Sequence, residues 1–526
     1  MKKSFSWAIL LLLAGCQLTQ SNRNVSSDSQ KENITNTAVN REVTTTSQTG
    51  SAVETRPESH QSISPKDVDD LWQRISMQFT LPVPDNKKID YYRTWYIKHP
   101  RHLETVAKRA EPFLYLITEK IEKRHMPLEL ALLPVVESAF DVFAYSYGRA
   151  AGLWQFVPGT GKLYGLKQNY WYDGRRDVNA ATDAALDYFQ ALHSQFNNWD
   201  NAIAAYNSGE GRVARAIKYN KRKGKPTDFF SLSLPKETSS YVPKLLALAD
   251  VIAHKEKYGL NLPKIANKPA LQLVNPNKQL DLAIAAQLAG ISVKELQSYN
   301  PGFNRWSTAP KGPYDLLIPV SNVSHFNHAL KDYKGSGLKL VRYKVRSGDN
   351  LNLIAKKNNT TPTVIRKANA LNSNLIRAGQ YLMIPTSVRD EETYELSVAN
   401  RLAKIQSRAR GNRYKVSYTV RSGDSLWTIA KKHKVSYNAL AKWNGMSPRD
   451  PLKVGKKLVV WKKSANGAII RSLFYTIKNG DTLSEIASKF KVNISDIVKW
   501  NNLSNQKYIK PGQRIKLYVD VTKVSV

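Results

Sequence analysis

The sequence predicts a multidomain chain in which a mainly α-helical domain is followed by small strand–helix–helix–strand (βααβ) modules. Three observations lead there. Apolar residues recur at helical spacing between Val68 and Tyr258, the C-terminal half repeats itself, and a polar segment without aromatic residues precedes both. The 526 residues leave room for roughly three or four domains.

The N-terminal pattern reads as a targeting segment. Lys2 and Lys3 precede an apolar run from Trp7 to Leu13, far shorter than the ~20 residues that span a bilayer. Cys16 is the one cysteine, which excludes an internal disulfide framework and any multi-cysteine metal site. Leu13-Ala14-Gly15-Cys16 resembles the bacterial lipobox. The resemblance implies a signal peptide over residues 1–15 and acylation of Cys16, with several chains giving stable anchoring. Gln17 follows in place of the aspartate that retains lipoproteins in the inner membrane, so the expected location is the periplasmic face of the outer membrane. Residues 17–66 hold no Phe, Trp or Tyr. Such a segment buries too little apolar surface to offset its ordering entropy, and residues 16–66 are expected to be a disordered tether.

The helical domain is expected over residues 67–265. Phe113, Leu116, Ile117 and Ile121 step along one helical face, and Ala184, Leu186, Tyr188, Phe189, Leu192 and Phe196 form another. Tyr241, Leu245, Leu246, Ala249 and Ile252 form a third.

The repeat opens three times alike, at Ser347-Gly348-Asp349, Ser422-Gly423-Asp424 and Asn479-Gly480-Asp481. An Ile-Ala pair follows each, and an asparagine falls 21 positions after each glycine, at Asn369, Asn444 and Asn501. Alternating strands open the units and short apolar strands close them. These units resemble LysM (lysin motif) domains, expected over 341–386, 415–462 and 473–519, with 387–413 as a linker. The resemblance implies binding to N-acetylglucosamine-containing glycans such as peptidoglycan. Leu282, Ala286, Leu296 and Asn300 keep the same intervals without the Gly-Asp turn, which marks 275–320 as a degenerate module suited to docking between enzyme and repeats.

Net charge is +37, and residues 331–526 carry 39 Lys+Arg against 12 Asp+Glu. A basic half implies a polyanionic partner. An export signal and glycan-binding repeats argue for the acidic wall and against nucleic acid.

One window carries chemistry. Leu130 to Val136 is almost wholly apolar, interrupted by Pro134, with Pro127 suited to a helix N1 position and Glu137 at the end. A carboxyl at the end of a buried helix is desolvated, which raises its pKa as a general acid requires. Gly152-Leu153-Trp154-Gln155-Phe156, Ala205-Tyr206-Asn207-Ser208-Gly209 and Glu237 to Val242 follow. Amide and aromatic side chains of this kind suit a sugar cleft.

In this order the set resembles the family 1 lytic transglycosylases, relatives of goose-type lysozyme, and most of all their membrane-bound type D members. The resemblance implies a lysozyme-like catalytic domain. By position it makes Glu137 the catalytic residue and Ser146, Gly152, Gln155, Tyr206, Asn207 and Tyr241 the substrate-binding set, with Trp154 replacing a common methionine. It further implies non-hydrolytic cleavage between N-acetylmuramic acid and N-acetylglucosamine, giving 1,6-anhydromuramoyl ends without a metal, nucleotide or redox cofactor. Two alternatives stay open. One is a hydrolytic muramidase with Asp141, Asp173, Asp177 or Asp183 as base; the other is a non-catalytic wall-binding lipoprotein.

Overall fold

The structure, a computed structural model, describes residues 63–408, 410, 413–463, 470–501, 503 and 509–520. Cys16, the lipobox-like segment and the tether to residue 62 lie outside them. Among the described residues no helix is long and apolar enough to cross a membrane.

Local chemistry sets the helix boundaries in the first domain. Asn86, Asp177 and Asn198 lie in extended backbone, and their side chains accept from Lys88, Ala180 and Asn201 N–H groups. Each thereby satisfies a donor that the first turn leaves free, starting the helices Lys87–Lys98, Val178–Phe196 and Trp199–Ser208. The anticipated faces point inward. Ile117 and Ile121 are buried in Leu114–Glu122, with Leu116 at the rim of the core. Ala184, Leu186, Phe189 and Leu192 are buried in Val178–Phe196, while Tyr188 and Phe196 are half-buried against them. The helix Thr238–Ala253 buries Tyr241, Leu245, Leu246, Ala249 and Ile252 and packs against Lys87–Lys98 and Trp199–Ser208. Each fully buried Leu, Ile or Phe among them stabilises the fold by about 1.5–3 kcal/mol.

The window before Glu137 departs from a continuous helix. Pro127 is not at an N1 position; it caps a 3₁₀ turn, Leu128–Leu132, and Pro134 takes the N1/N2 place of the helix Leu133–Ser138. Proline lacks an N–H and crowds the preceding turn, so the run breaks there.

The degenerate module spans helices Leu282–Ala289 and Val293–Tyr299 between two antiparallel strands, Leu271–Val274 and Leu316–Pro319. Its first strand precedes residue 275. With only its end residues buried, that strand carries no alternating signal. The module stands against the helical domain: Asp173 N–H donates to Gly302 O and Asn304 N–H to Trp171 O, both at 2.8 Å. Trp171 and Trp306 meet edge to face at 5.5 Å.

The three repeats are antiparallel strand pairs enclosing two helices: Lys339–Lys344 with Tyr381–Thr386, Arg413–Thr419 with Lys457–Lys463, and Ile470–Thr476 with Arg514–Asp520. Their signature residues hold backbone. Asp424 Oδ2 accepts from Arg421 N–H at 2.7 Å and Tyr418 O–H at 2.8 Å, closing the turn whose Gly423 has φ +79°. Asp349 and Asp481 make the same two bonds. Asn444 donates to Leu440 O and Val459 O and accepts from Val459 N–H, tying the second helix to the closing strand. Asn369, Asn501 and Asn300 of the degenerate module repeat this clamp.

The linker segment 387–413 contains a helix, Val398–Ser407, capped by Ser397. Val398, Leu402 and Ile405 recur at helical spacing there, a signal present in the sequence. The helix joins the parts of the chain: Arg401 lies 4.2 Å over the Phe143 ring, and Gln406 donates to Asn444 Oδ1 at 2.9 Å.

Candidate active site

Glu137 sits one residue before the end of Leu133–Ser138. The chain then turns sharply, because Ala139 and Phe140 both adopt left-handed backbone, at φ +50° and +57°. Their N–H groups return to Val135 O and Pro134 O at 3.0 Å, and Arg109 donates to Ala139 O. Phe140, 1% exposed, anchors the turn in the core. Two successive non-glycine residues in this region store strain of order 1–3 kcal/mol each, a feature that clusters at functional sites.

The Glu137 carboxyl is half-buried, and Tyr241 O–H donates to its Oε1 at 2.5 Å. Burial pushes its pKa up to about 7; the Tyr241 hydrogen bond and Lys244 act against that, and Glu237 adds to it. A single carboxyl poised near 7 can give a proton and take one back at neutral pH. The Tyr241 hydroxyl, buried beside this carboxyl, is pushed well above the usual phenol range and stays a donor.

Tyr206 forms the wall behind. Its O–H donates to Trp154 O at 2.7 Å, and its ring stacks on Phe189 at 4.3 Å. Burial and then the Glu137 charge raise its pKa well above the ordinary value. Asn207 Oδ1 accepts from Thr238 O–H at 2.9 Å, which links this helix to the one carrying Tyr241. Thr238 stood within the segment Glu237 to Val242 but was not among the expected site residues.

The remaining expected residues belong to the neighbouring loop. Gln155, at φ +49°, folds back so that its amide donates to Gly152 O at 2.7 Å. Gly152 is buried; a Cβ there would lie 2.0 Å from Arg175 O, so the missing side chain lets two backbones approach. Ser146 Oγ accepts from Ala150 N–H at 3.0 Å and closes the loop. Trp154 is 0% exposed and donates to Thr182, so it offers no face to a sugar.

The aspartates considered as a second carboxylate are engaged elsewhere. Asp173 holds Arg175 through two bonds of 2.8–2.9 Å, and Asp177 caps its helix and accepts from Tyr172. Asp183 pairs with Lys120 and Arg124, and Asp141 accepts from Phe143 N–H.

The second repeat reaches the Ser146 loop. Asp450 accepts from Tyr145 O–H at 3.0 Å and pairs with Arg149 at 3.0 Å, while Ser447 O–H donates to Tyr147 O. Beside this contact lies a cavity of about 950 Å³ that Ser146 also lines. Sequence intervals gave no sign of this contact.

Residues 115–229 match the Transglycosylase SLT domain family. Residues 270–335 match the LysM-like domain of lytic transglycosylase MltD, and 343–385, 418–461 and 475–517 match the LysM domain. Over 409 residues the chain is 39% identical to membrane-bound lytic murein transglycosylase D of Escherichia coli (strain K12), covering 76% of this chain and 86% of that protein. An autolysin of Enterococcus faecalis is 34% identical over 186 residues, 33% of this chain and 24% of that one. Among solved structures, the 70 kDa soluble lytic transglycosylase of Escherichia coli matches at 19% identity over 38% of this chain and 31% of its own, with a TM-score of 0.25. The chain belongs to the membrane-bound lytic murein transglycosylase D family and is a peptidoglycan lytic transglycosylase.

Proposed function

We propose that Glu137 alone serves as acid and then base in cleaving the MurNAc-β-1,4-GlcNAc bond. The protonated carboxyl donates to the linking oxygen as that bond to C1 breaks, and the positive charge at C1 is stabilised by the substrate acetamido group. The muramoyl C6 hydroxyl then adds to C1 and passes its proton to the Glu137 carboxylate. A 1,6-anhydromuramoyl end results, no water is consumed, and the carboxyl is restored. Most glycosidases divide these tasks between two carboxylates. The observation that carries the single-residue reading is the half-buried Glu137 carboxyl, raised to about 7 and held by Tyr241, with the four candidate aspartates engaged elsewhere. Gln155, Tyr206 and Asn207 shape the cleft in this reading, and Gly152 and Ser146 hold its loop.

The Tyr241 hydrogen bond favours the ionised carboxylate, so its removal raises the Glu137 pKa further. Activity that needs the protonated acid is present below about 7 and is lost as pH rises through that value. For Tyr241→Phe the alkaline limb of kcat/KM is expected to move to higher pH, with a rate loss of about 10-fold at pH 6. An unmoved limb would detach Tyr241 from the acid.

In the same proposal the protein is a lipoprotein held at the periplasmic face of the outer membrane through Cys16, with residues 16–66 as tether. The LysM repeats grip the peptidoglycan that the catalytic domain cuts, and the degenerate module braces one against the other. Because the repeats are strongly basic, cosedimentation of the full chain with sacculi is expected to fall several-fold between about 0.05 and 1 M salt, as the screening length drops to ~3 Å. Binding indifferent to salt would remove charge from the account.

A further inference from the structure

One feature of the second repeat stands apart from the catalytic site. A cavity of about 470 Å³, a volume suited to one or two sugar rings, opens between its strands and helix ends. Tyr414, Trp443, Trp461 and His433 line it, and Trp461 and His433 are each 93% buried. The Trp461 indole N–H and both His433 ring nitrogens have no hydrogen-bond partner. Orphaned buried donors cost about 1–3 kcal/mol each and call for a ligand or water that satisfies them.

The charge around this cavity is one-sided. Arg413, Lys434, Lys462 and Lys463 line it, no acidic residue does, and none of the four forms an ion pair among the described residues. Burial, Lys499 and Lys434 hold the Lys462 ammonium below the ordinary lysine range, against Asp496. Burial and neighbouring lysines keep His433 neutral, with a pKa pushed down to about 4, so its ring offers one donor and one acceptor.

The residues lining this cavity are particular to the second repeat. Ten places after the turn glycine stand Asn358, His433 and Phe490, and twenty places after it Ala368, Trp443 and Trp500. Two places after the strand residue that the conserved-position asparagine clamps stand Pro385, Trp461 and Tyr518. The first repeat has no aromatic residue at these positions, and the third has no histidine.

We propose that this cavity is a binding site for an acidic, N-acylated sugar, a muramoyl residue whose lactyl carboxylate meets the four cations. The flat rings would pack against the sugar, and Trp461 and His433 would reach its hydroxyl or acetamido oxygens after a small side-chain shift. The second repeat then reads the muramoyl units of a strand while the others read glucosaminyl units. This rests on the repeats binding the wall.

The test is calorimetric titration of the full chain with the disaccharide N-acetylglucosaminyl-N-acetylmuramic acid, its methyl ester, and the N-acetylglucosamine dimer. The free acid is expected to bind about 10-fold more tightly than the ester. The double substitution Lys462→Gln/Lys463→Gln should erase that difference, and His433→Phe, which installs the residue of the third repeat, should weaken the acid several-fold. The neutral dimer reports folding, because its affinity should not change in either variant. Equal binding of acid and ester, or a preference surviving in the double variant, would overturn the proposal. Failure of the wild-type chain to bind the neutral dimer would instead strike the wall-binding reading, while the acid–ester comparison still judges the cavity.

Discussion

Glu137→Gln is expected to reduce glycan cleavage by about 10²–10⁴-fold, the range ascribed to general acid–base catalysis, while cosedimentation with sacculi stays unchanged. The amide keeps the shape of the carboxyl and can accept from Tyr241, but it has no proton to give. The same substitution should stabilise the protein at alkaline pH. With a folded-state pKa of about 7 against 4.5 for the free side chain, the carboxyl stays protonated in the fold where the unfolded chain has ionised. Its contribution to stability is therefore full below 4.5, falls as pH rises through the interval and is lost above about 7. The separation is worth up to about 3 kcal/mol. Melting curves at pH 5 and pH 8.5 should show Glu137→Gln gaining on the wild type only at the higher pH. Equal melting at both would mean that the carboxyl is hydrated in the fold.

The second large effect is expected at Gly152. An added methyl group would sit 2.0 Å from the Arg175 carbonyl oxygen and 2.9 Å from its carbon, with the backbone at φ +78°. Both obstacles are main chain and cannot swing aside. Gly152→Ala should cost about 4 kcal/mol or more, the range of the severest single substitutions, and leave little folded catalytic domain. Gly165 supplies the control: its φ is +76° and nothing lies within 4 Å of the added carbon. Gly165→Ala therefore isolates the backbone component, about 1–2 kcal/mol. Denaturant titration of both variants checks the contrast, and similar losses would show that the close approach to Arg175 relaxes easily.

These two residues mark how far the sequence carries. The apolar run ending in Glu137 announces a desolvated carboxyl from local pattern alone, and the structure finds it half-buried. Its partner Tyr241 lies 104 residues away, a relation that only the family resemblance supplied. The resemblance also put Gly152 in the substrate-binding set and Trp154 in the place of a methionine. Trp154 is folded into the core through Thr182, and Gly152 serves backbone packing. Chain order cannot distinguish a residue facing substrate from one facing the wall behind it.

The repeats were legible because each signature residue does a fixed backbone task within one short unit, as Asp424 does for its turn and Asn444 for its closing strand. Contacts between units leave no such trace. Tyr145 and Asp450 are 305 residues apart, and neither stands in a pattern that names the other. The helix Val398–Ser407 is a different case, since its apolar spacing was present in the segment taken for a linker.

The most direct test of a single-carboxylate mechanism is mass spectrometry of the fragments released from purified peptidoglycan by the wild-type protein and by Glu137→Gln. The wild type should release fragments with 1,6-anhydromuramoyl ends, one water lighter than hydrolytic products, and Glu137→Gln almost none. Reducing muramoyl ends from the wild type, or anhydro products undiminished in Glu137→Gln, would contradict it.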